Sequence, residues 1–413
     1  MNNMLIAQSG GPSAVINASV AGAVTRGMAD DGIDNVLGAV NGMQGFLERK
    51  IINISGQIRS SGNLELLMHT PAHALGSSRY KIKAGDEETY AKIAGILKDY
   101  SVKYFFYNGG NDSMDTVHKL SEYMKRAGED IVCVGIPKTI DNDLELTDHS
   151  PGFGSAARYV ATSVAELYLD TCVYPVPACT IVEIMGRNAG WLTAAAALAR
   201  DTGIPAPHLI YLPETVFDPE AFINDVKALI GTEGQILVAI SEGLRLQDGS
   251  YIAETGAAED MFGHKTLGGA ANALEDLVKT NIDLPGLKTR AIQFSTLQRA
   301  AAHHASKTDL DEAYQCGYRA VEAALVGKTG VMVTLTRTCD EPYLIRYDIA
   351  DLAMIANKEK KVPAGWLTKN GTDVSEEMMV YLRPLVRGEA SEVMAGGLPQ
   401  FFRFDLTRFE QGA

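Results

Sequence analysis

The chain has little cysteine, and none of it is spaced for metal binding or for a disulfide framework. Five cysteines are scattered along 413 residues without a CxxC pair, at Cys133, Cys172, Cys179, Cys316 and Cys339. Metal-binding and disulfide-stapled domains place their cysteines close together at regular spacings. We therefore expect reduced thiols in a cytosolic protein.

An excess of basic charge and a long apolar run are also missing. Lys and Arg number 37 against 51 Asp and Glu, a net charge of −14, which argues against nucleic acid or an anionic membrane as the main partner. No apolar run approaches the roughly 20 residues that span a bilayer. The apolar N-terminus lacks a basic region and breaks at Gly10-Gly11-Pro12, so it predicts a first strand and not a signal peptide. We expect a cytoplasmic protein.

What the chain does contain is a recurring pattern of a short apolar run, a polar or glycine-bearing loop and a helical stretch. The predicted strands are 4–8, 35–40, 104–107, 131–136, 180–185, 208–212, 235–240, 289–294 and 330–336. The predicted helices are 14–28, 85–100, 113–124, 156–168, 191–199, 220–230, 267–279, 309–327 and 375–385. This alternation favours parallel sheets, and the length suffices for two domains. We predict two Rossmann-like α/β domains with mainly parallel sheets that face a cleft.

Ligands of such sheets bind at the carboxyl ends of the strands. Here one strand leads into Gly109-Gly110-Asn111-Asp112-Ser113 and the next into Pro137-Lys138-Thr139-Ile140-Asp141-Asn142-Asp143. Two glycines let backbone amides approach an anion at a helix N-terminus. Two carboxylates that flank an amide can hold a metal or accept a proton. The sequence therefore predicts a phosphate-handling active site.

The motifs together carry a family resemblance. In chain order they are Gly10-Gly11, Leu75-Gly76-Ser77-Ser78-Arg79, the two loops just described, Pro151-Gly152-Phe153-Gly154, Met185-Gly186-Arg187, Ser241-Glu242-Gly243 and Leu297-Gln298-Arg299. The ordered set resembles the 6-phosphofructokinases of the phosphofructokinase A family, more specifically their pyrophosphate-dependent branch. The resemblance covers residues 4 to 335.

The resemblance implies a reaction and a domain plan. The reaction is reversible phosphoryl transfer, with Mg²⁺, to the 1-hydroxyl of fructose 6-phosphate. Residues 1–152 with about 300–340 would bind the donor, and residues 153–299 would bind fructose 6-phosphate. Residues 341–413 would form a C-terminal extension, with the last dozen residues as a tail.

The resemblance also assigns roles to residues. Asp141 matches the catalytic base, and Arg79 and Arg187 match cationic positions at the phosphates. The donor set is Gly10, Gly11, Gly110 and Lys138. The metal position falls on Asn111 and Asp112. The sugar-phosphate set is Thr139, Ile140, Asp141, Met185, Gly186, Arg187, Glu242, Arg290, Thr296 and Arg299. Arg290 matches an arginine that reaches the 6-phosphate of the neighbouring subunit, which implies an oligomer.

Two positions favour pyrophosphate over ATP as the donor. Enzymes that resemble this chain but use ATP carry glycine at the positions of Asp112 and Lys138. A carboxylate at Asp112 would oppose a nucleotide's α-phosphate, since like charges ~4 Å apart cost up to about 4 kcal/mol near a surface. An ammonium at Lys138 would stabilise a leaving phosphate that bears no adenosine. Asp112 is also expected to cap the helix that follows.

Three departures from the family pattern bear on the site and on assembly. Asn111 replaces the metal-binding carboxylate, and an amide is a weaker ligand for a hard cation. Thr296 stands where Tyr or His is expected before Leu-Gln-Arg. Ala178 stands where nucleotide-regulated relatives place an arginine. We therefore expect a homodimer without allosteric control.

Other readings remain open at this point. The ATP-dependent enzyme is one, and a non-catalytic regulatory subunit on the same fold is another, although such a subunit would be expected to lose Asp141 or Arg187. A nicotinamide dehydrogenase would need GxGxxG after the first strand, which residues 9–13 do not supply. His303 and His304 with Asp309 are more simply interpreted as surface residues than as a metal site.

Overall fold

The structure is a computed structural model that describes residues 2–58, 60–78, 80, 82–83, 85–252, 254–259, 265–267 and 269–410. The strands are β1 (Asn3–Gln8), β2 (Val36–Ala39), β3 (Ile51–Asn53), β4 (Val102–Gly109), β5 (Val132–Pro137), β6 (Ala178–Ile184), β7 (Leu209–Tyr211), β8 (Gln235–Ser241), β9 (Glu254–Glu259), β10 (Lys265–Leu267), β11 (Lys288–Gln293), β12 (Val331–Asp340), β13 (Tyr343–Asp351), β14 (Leu367–Thr368), β15 (Asp373–Val374), β16 (Met394–Ala395) and β17 (Leu398–Pro399).

The helices alternate with these strands. They are α1 (Ile16–Met28), α2 (Gly42–Leu47), α3 (Ser61–His69), α4 (Glu87–Asp99), α5 (Asn111–Ala127), α6 (Phe153–Thr171), α7 (Trp191–Ala194), α8 (Pro219–Glu233), α9 (Ala270–Asn281), α10 (Leu297–Ala300), α11 (Lys307–Leu325) and α12 (Glu376–Leu382). Among the described residues, none of the helices combines the length and the apolar character needed to cross a bilayer.

The chain divides into two compact units. Unit 1 contains Met1–Ser155, Arg299–Glu359 and Arg387–Ala413, and unit 2 contains Ala156–Gln298 and Lys360–Val386. Unit 1 is built on a seven-stranded sheet in the order β13-β12-β5-β4-β1-β2-β3. Its central strands are parallel, whereas β3 and β13 run antiparallel at the two edges.

Helices cover both faces of the unit 1 sheet. Met4 and Ile6 of β1 pack with residues of α1 and α11, and the alternating Leu5 and Ala7 pack with residues of α4 and α5. All four side chains are fully buried. A parallel strand that is buried on both faces reads as a continuous apolar run, which is why β1, β4 and β5 are recognisable from sequence.

Unit 2 is built on a four-stranded parallel sheet in the order β11-β6-β8-β7. Its core includes Ile181 and Val238 from the sheet, Phe222 and Val226 from α8, and Leu274 from α9. Trp191, at the start of α7, is 3% exposed and packs against Trp366 and Tyr381. The α/β prediction with mainly parallel sheets is confirmed.

Two predictions about the elements were wrong, one at the end of the chain and one in unit 2. The last dozen residues were predicted to be a tail, but Phe402 and Phe404 among them are buried in the core of unit 1. The helix predicted over 191–199 is α-helical only to Ala194 and continues as a 3₁₀ helix over Ala195–Thr202. The segment 341–413 is divided, with 360–386 in unit 2 and the remainder in unit 1, where Tyr343–Asp351 forms the edge strand β13.

Candidate active site

Three loops of unit 1 start side by side at the carboxyl edge of its sheet. Gln8 of β1 is paired with Asn108 of β4, and Gly109 of β4 is paired with Pro137 of β5. The loops at 9–11, 109–112 and 137–143 therefore leave the sheet next to one another, and we call them the unit 1 site. Lys138 N donates to Gly109 O at 3.0 Å, which ties two of these loops together.

Lys138 is a buried side chain of this site and not a solvated loop lysine. It is 3% exposed, and its Nζ donates to Gly11 O at 2.5 Å. A Cβ on Gly10, whose φ is +80°, would lie 3.4 Å from the same Nζ. Burial lowers the pKa of Lys138 to about 8, although the charges of Asp141 and Asp143 oppose that shift. A partly desolvated ammonium thus lies against the Gly10-Gly11 loop, where it can meet an anion.

The segment from Thr139 to Asp143 is held by its own backbone and by the loop that follows. Thr139 N donates to Pro151 O at 3.2 Å, and the Thr139 hydroxyl accepts from Asp141 N at 3.1 Å. Asn142 has a left-handed φ of +56°, and its buried side-chain oxygen accepts from Ser150 N at 3.0 Å. Thr139 and Ile140 are both buried. The half-buried Asp141 is therefore carried by a fixed turn.

The carboxyl group of Asp143 is buried close to the negative charge of Asp141. Burial and the nearby charge of Asp141 raise the pKa of Asp143 to about 7. Its Oδ1 is buried and has no hydrogen-bond partner among the described residues. Two carboxylates this close together are suited to a cation, which would relieve both the repulsion and the missing contact.

Asn111 and Asp112 begin helix α5, but in roles that differ from those predicted. Gly110 occupies the N-cap position and Asp112 lies in the first turn, so the prediction that Asp112 caps the helix was wrong. The exposed Asp112 carboxylate still interacts favourably with the helix dipole. The Asn111 amide is engaged with the backbone at both its ends, accepting from Asn357 N at 2.8 Å and donating to Lys358 O.

The loop at 75–78 lies against the unit 1 site. Ser77 Oγ donates to Gly10 O at 3.0 Å, and Leu75 N donates to Gln8 Oε1 at 3.0 Å. Gly76 has a φ of +73°, and a Cβ there would meet Asn41 Oδ1 at 2.3 Å, so this turn requires glycine. Arg79, a predicted phosphate contact, lies outside the described residues.

A second set of loops lies at the carboxyl edge of the unit 2 sheet, at 185–187 and 241–243, which we call the unit 2 site. Gly186 N lies 3.4 Å from Glu242 Oε1, and Ser241 Oγ donates to Gly186 O at 2.5 Å. A Cβ on Gly243 would lie 2.0 Å from Arg187 O, so only glycine allows this close approach. The structure therefore brings Met185, Gly186, Arg187 and Glu242 together, and their role as sugar-phosphate contacts stays a prediction.

The remaining predicted residues are spread over different surroundings. Arg187 is half-buried, and its Nε has no hydrogen-bond partner among the described residues. Thr296 is exposed, and Arg290 is exposed on β11, where it pairs with Asp170. Arg299 belongs to unit 1, and its Nη1 lies 3.2 Å from a Cβ position on Gly11. The structure thus groups Arg299 with the glycine loop.

Three supporting residues were not among the predicted site residues. Gln298 accepts from Met185 N at 3.1 Å, and the Leu297-Gln298-Arg299 motif was the available signal for it. Asp309, which was predicted to lie at the surface with His303 and His304, is instead buried and accepts from Gly152 N and Ser155 N at 2.8 and 2.9 Å. His303 is exposed as expected, and His304 is half-buried. His149 lies buried between two carboxylates, a pairing between distant parts of the chain that no local pattern predicts.

Comparison with known proteins identifies the family. The phosphofructokinase family model matches residues 3–324. A pyrophosphate–fructose 6-phosphate 1-phosphotransferase of Methylococcus capsulatus is 42% identical over 97% of this chain and 95% of its own length. A protein of the same name from Halomonas elongata is 40% identical, covering 99% and 98% of the two chains.

A solved structure agrees with these matches. The crystal structure of a pyrophosphate-dependent phosphofructokinase from Marinobacter aquaeolei superposes with a TM-score of 0.88 at 37% identity, over 100% of this chain and 98% of the other. The motifs of the unit 1 and unit 2 sites lie inside the region matched by the family model. This chain belongs to the phosphofructokinase family.

Proposed function

We propose that this protein transfers a phosphoryl group reversibly between pyrophosphate and the 1-hydroxyl of fructose 6-phosphate. The observation that carries the choice of donor is the buried Lys138 ammonium at the Gly10-Gly11 loop, with Asp112 in the first turn of α5. The relatives at 42% and 40% identity are named for this reaction. An ATP-dependent enzyme is disfavoured, because Asp112 would oppose the α-phosphate of a nucleotide.

Asp141 serves as the general base in this proposal. It would take the proton of the attacking hydroxyl, a contribution that is typically worth roughly 10²–10⁴ in rate. The Thr139 hydroxyl and the Asn142–Ser150 hydrogen bond hold the turn that presents Asp141. The remaining rate enhancement in phosphoryl transfer comes mainly from positioning and charge stabilisation.

The donor phosphates would lie against Gly10, Gly11 and Gly110, at the N-terminus of α5. Lys138 would stabilise the leaving phosphate, because its ammonium faces the Gly10-Gly11 loop. Arg299 would add a second positive charge there, since its guanidinium lies beside Gly11. Arg79 is proposed as a further phosphate contact on the ground of its motif alone.

The sugar phosphate would be bound at the unit 2 site, and the residues of the catalytic turn that belong to the predicted sugar-phosphate set are proposed on the ground of their motif alone. Met185, Gly186, Arg187 and Glu242 supply backbone, cationic and carboxylate groups in one place, and Thr139 and Ile140 lie in the catalytic turn. The Arg187 guanidinium has a buried Nε available for an anion. Thr296 is proposed as a weaker contact, because its side chain is short and exposed.

Magnesium is the cofactor that we propose. A hard cation prefers carboxylate oxygens, which Asp112 and Asp143 each offer, and the buried Oδ1 of Asp143, which has no hydrogen-bond partner among the described residues, supports this choice. Asn111 is a weaker candidate, because its amide already bonds to the backbone at residues 357 and 358. When bound, Mg²⁺ would neutralise charge on the phosphate oxygens.

We also propose a homodimer in the cytoplasm. Arg290 lies on the exposed edge strand β11. Three apolar side chains are also exposed, Leu169 near the end of α6 and Val173 and Tyr174 just after it. An exposed strand edge with apolar neighbours is suited to association with a second copy. All five cysteines are free thiols, as expected in a reducing compartment.

The reverse reaction tests the proposed function. Fructose 1,6-bisphosphate with inorganic phosphate and Mg²⁺ should yield fructose 6-phosphate and pyrophosphate, which a kinase with a nucleotide donor does not form. Release of fructose 6-phosphate that depends on phosphate would support the proposal. Turnover that requires ADP in place of phosphate would overturn it.

A further inference from the structure

Residues 352–359 of unit 1 lie along the start of helix α5. Leu352 and Ile355 are fully buried in the same core cluster as Met114 and Val117 of α5. The chain then turns at Asn357, which has a left-handed φ of +61°. Asparagine tolerates this conformation better than most residues.

Two asparagines fasten this segment to the helix. The Asn111 side chain accepts from Asn357 N at 2.8 Å and donates to Lys358 O, while Asn357 Nδ2 donates to Asp115 Oδ1 at 2.9 Å. Asp115 is itself buried and paired with Lys119 at 2.5 Å. A carboxylate at position 111 could not donate to the Lys358 carbonyl, because an ionised carboxylate only accepts. The amide at position 111 therefore fits a structural contact.

The fastened segment lies on a particular side of the proposed donor site. A Cβ on Gly110 would lie 3.5 Å from Lys138 O, so Gly110 faces the loop that carries the catalytic groups. Asn111, the next residue, faces 357 and 358 instead. Donor phosphates would lie at the helix N-terminus, with the transferred phosphate on the side of Asp141, the base for the attacking hydroxyl. A group attached to the far phosphate would have to extend past Asn111 and this segment.

A negative charge within residues 352–359 also opposes a nucleotide at the donor site. Glu359 belongs to the segment, and its exposed carboxylate adds negative charge there. With Asp112 in the first turn of α5, a nucleotide's additional phosphate would meet negative charge as well as occupied space.

We propose that Asn111 and Asn357 latch residues 355–359 across the first turn of α5, and that the latched segment excludes nucleotides from the donor site. The inference rests on pyrophosphate as the donor and adds a determinant of selectivity to Asp112 and Lys138. Pyrophosphate is short enough to bind without displacing the segment, whereas a nucleotide would have to open it.

The test measures the latch and the selectivity separately. Trypsin cleavage after the exposed Lys358 and Lys361 reports whether the segment is held. Inhibition of the pyrophosphate-driven reaction by ATP reports nucleotide binding without requiring that ATP be used. For Asn357→Ala and Asn111→Ala, we expect faster cleavage and an ATP inhibition constant lowered by about tenfold or more, equivalent to ~1.4 kcal/mol.

Two further variants serve as controls. Asn357→Gly removes the side chain but keeps the left-handed turn and the backbone N–H that bonds to Asn111. We expect a smaller change in both readouts, in the same direction as for Asn357→Ala. Because glycine adopts this turn without strain, a change in this variant could not be attributed to misfolding. Asn370→Ala places the same strain at an exposed asparagine of unit 2, where φ is +57°, and should change neither readout.

Two outcomes would overturn the inference. Faster cleavage with unchanged ATP inhibition would show that the segment does not select the donor. Unchanged cleavage in all the variants at positions 111 and 357 would show that the asparagines do not hold it. Wild-type turnover with ATP would instead overturn the proposed function itself, so the two failures are distinguishable.

Discussion

At the residue scale, proton transfer depends on Asp141. Replacing it with asparagine preserves size and most packing but removes the base, so Asp141→Asn should lower kcat by roughly 10²–10⁴. The KM for fructose 6-phosphate should change much less, because the Thr139 hydrogen bond to the backbone of residue 141 remains. Steady-state kinetics measure both. Glu145→Gln, in the same loop, is the matched control, and a loss of similar size there would refute a specific role for Asp141.

The desolvated Lys138 predicts a pH dependence. Its pKa is lowered to about 8, so the ammonium is present below that pH and is lost above it. The kcat/KM for pyrophosphate should therefore fall above about pH 8, whereas an ordinary lysine, with a pKa of about 10.4, would keep its charge up to about pH 10. His73 does not contribute to this change, since burial lowers its pKa to about 3.

The variant Lys138→Arg isolates this titration. Arginine stays protonated throughout the accessible range, so the variant should be less active, for steric reasons, but should not lose further activity between pH 8 and 10. A pH profile of kcat/KM makes the comparison. Persistence of the same decline in the variant would assign it to another group.

At the element scale, the loop that follows the catalytic turn is attached to the rest of unit 1 through His149. Its Nδ1 lies 2.8 Å from Asp148 Oδ1 and its Nε2 lies 2.6 Å from Glu312 Oε2 on α11. Arg337 also pairs with Asp148, and the Tyr343 hydroxyl donates to Glu312 at 2.7 Å. Burial disfavours the charged imidazole, but the two carboxylates outweigh it and raise the pKa of His149 to about 9.

This network predicts how stability varies with pH. Because the pKa of His149 is higher in the folded protein, its stabilisation is fully present below the pKa of the unfolded state, near 6.5. It is lost as the pH rises through about 9. The stabilisation is roughly 3 kcal/mol, since one pKa unit corresponds to ~1.4 kcal/mol. The melting temperature of His149→Gln should lie well below that of the wild type at pH 6, and the difference should shrink by pH 9.5. A constant difference would rule out a protonated His149.

The sequence predicted some of the elements and their loops correctly but missed one helix cap and several long-range contacts. Strands β1, β4 and β5 are buried on both faces, so their apolar runs predicted their bounds to within two residues. Once these strands were placed, the glycine and carboxylate loops at their carboxyl ends could be predicted as well. The N-cap of α5 was misplaced, because Gly110 takes the capping position without a side chain that marks it. Burial of Phe402 and Phe404, and the contacts of Asn111 with residues 357 and 358, depend on long-range packing that no local pattern encodes.

At the scale of the whole molecule, the proposed dimer shares residues between its sites. If Arg290 completes the site of the neighbouring subunit, Arg290→Ala and Asp141→Asn should each be nearly inactive alone. Heterodimers would contain one site with both residues intact, so subunits exchanged in a mixture should recover roughly a quarter of wild-type activity. Kinetics after subunit exchange, with sedimentation to verify the dimer, measure this. No recovery from exchanged dimers would place Arg290 outside the shared site.

The choice of donor is the central claim for the molecule, and one assay tests it most directly. Formation of fructose 1,6-bisphosphate from fructose 6-phosphate and Mg²⁺ is measured with pyrophosphate and with ATP side by side, for the wild type and for Asp112→Gly. We predict turnover of the wild type with pyrophosphate alone and the first detectable use of ATP in the variant. Turnover of the wild type with ATP, and not with pyrophosphate, would contradict the roles given to Asp112 and Lys138.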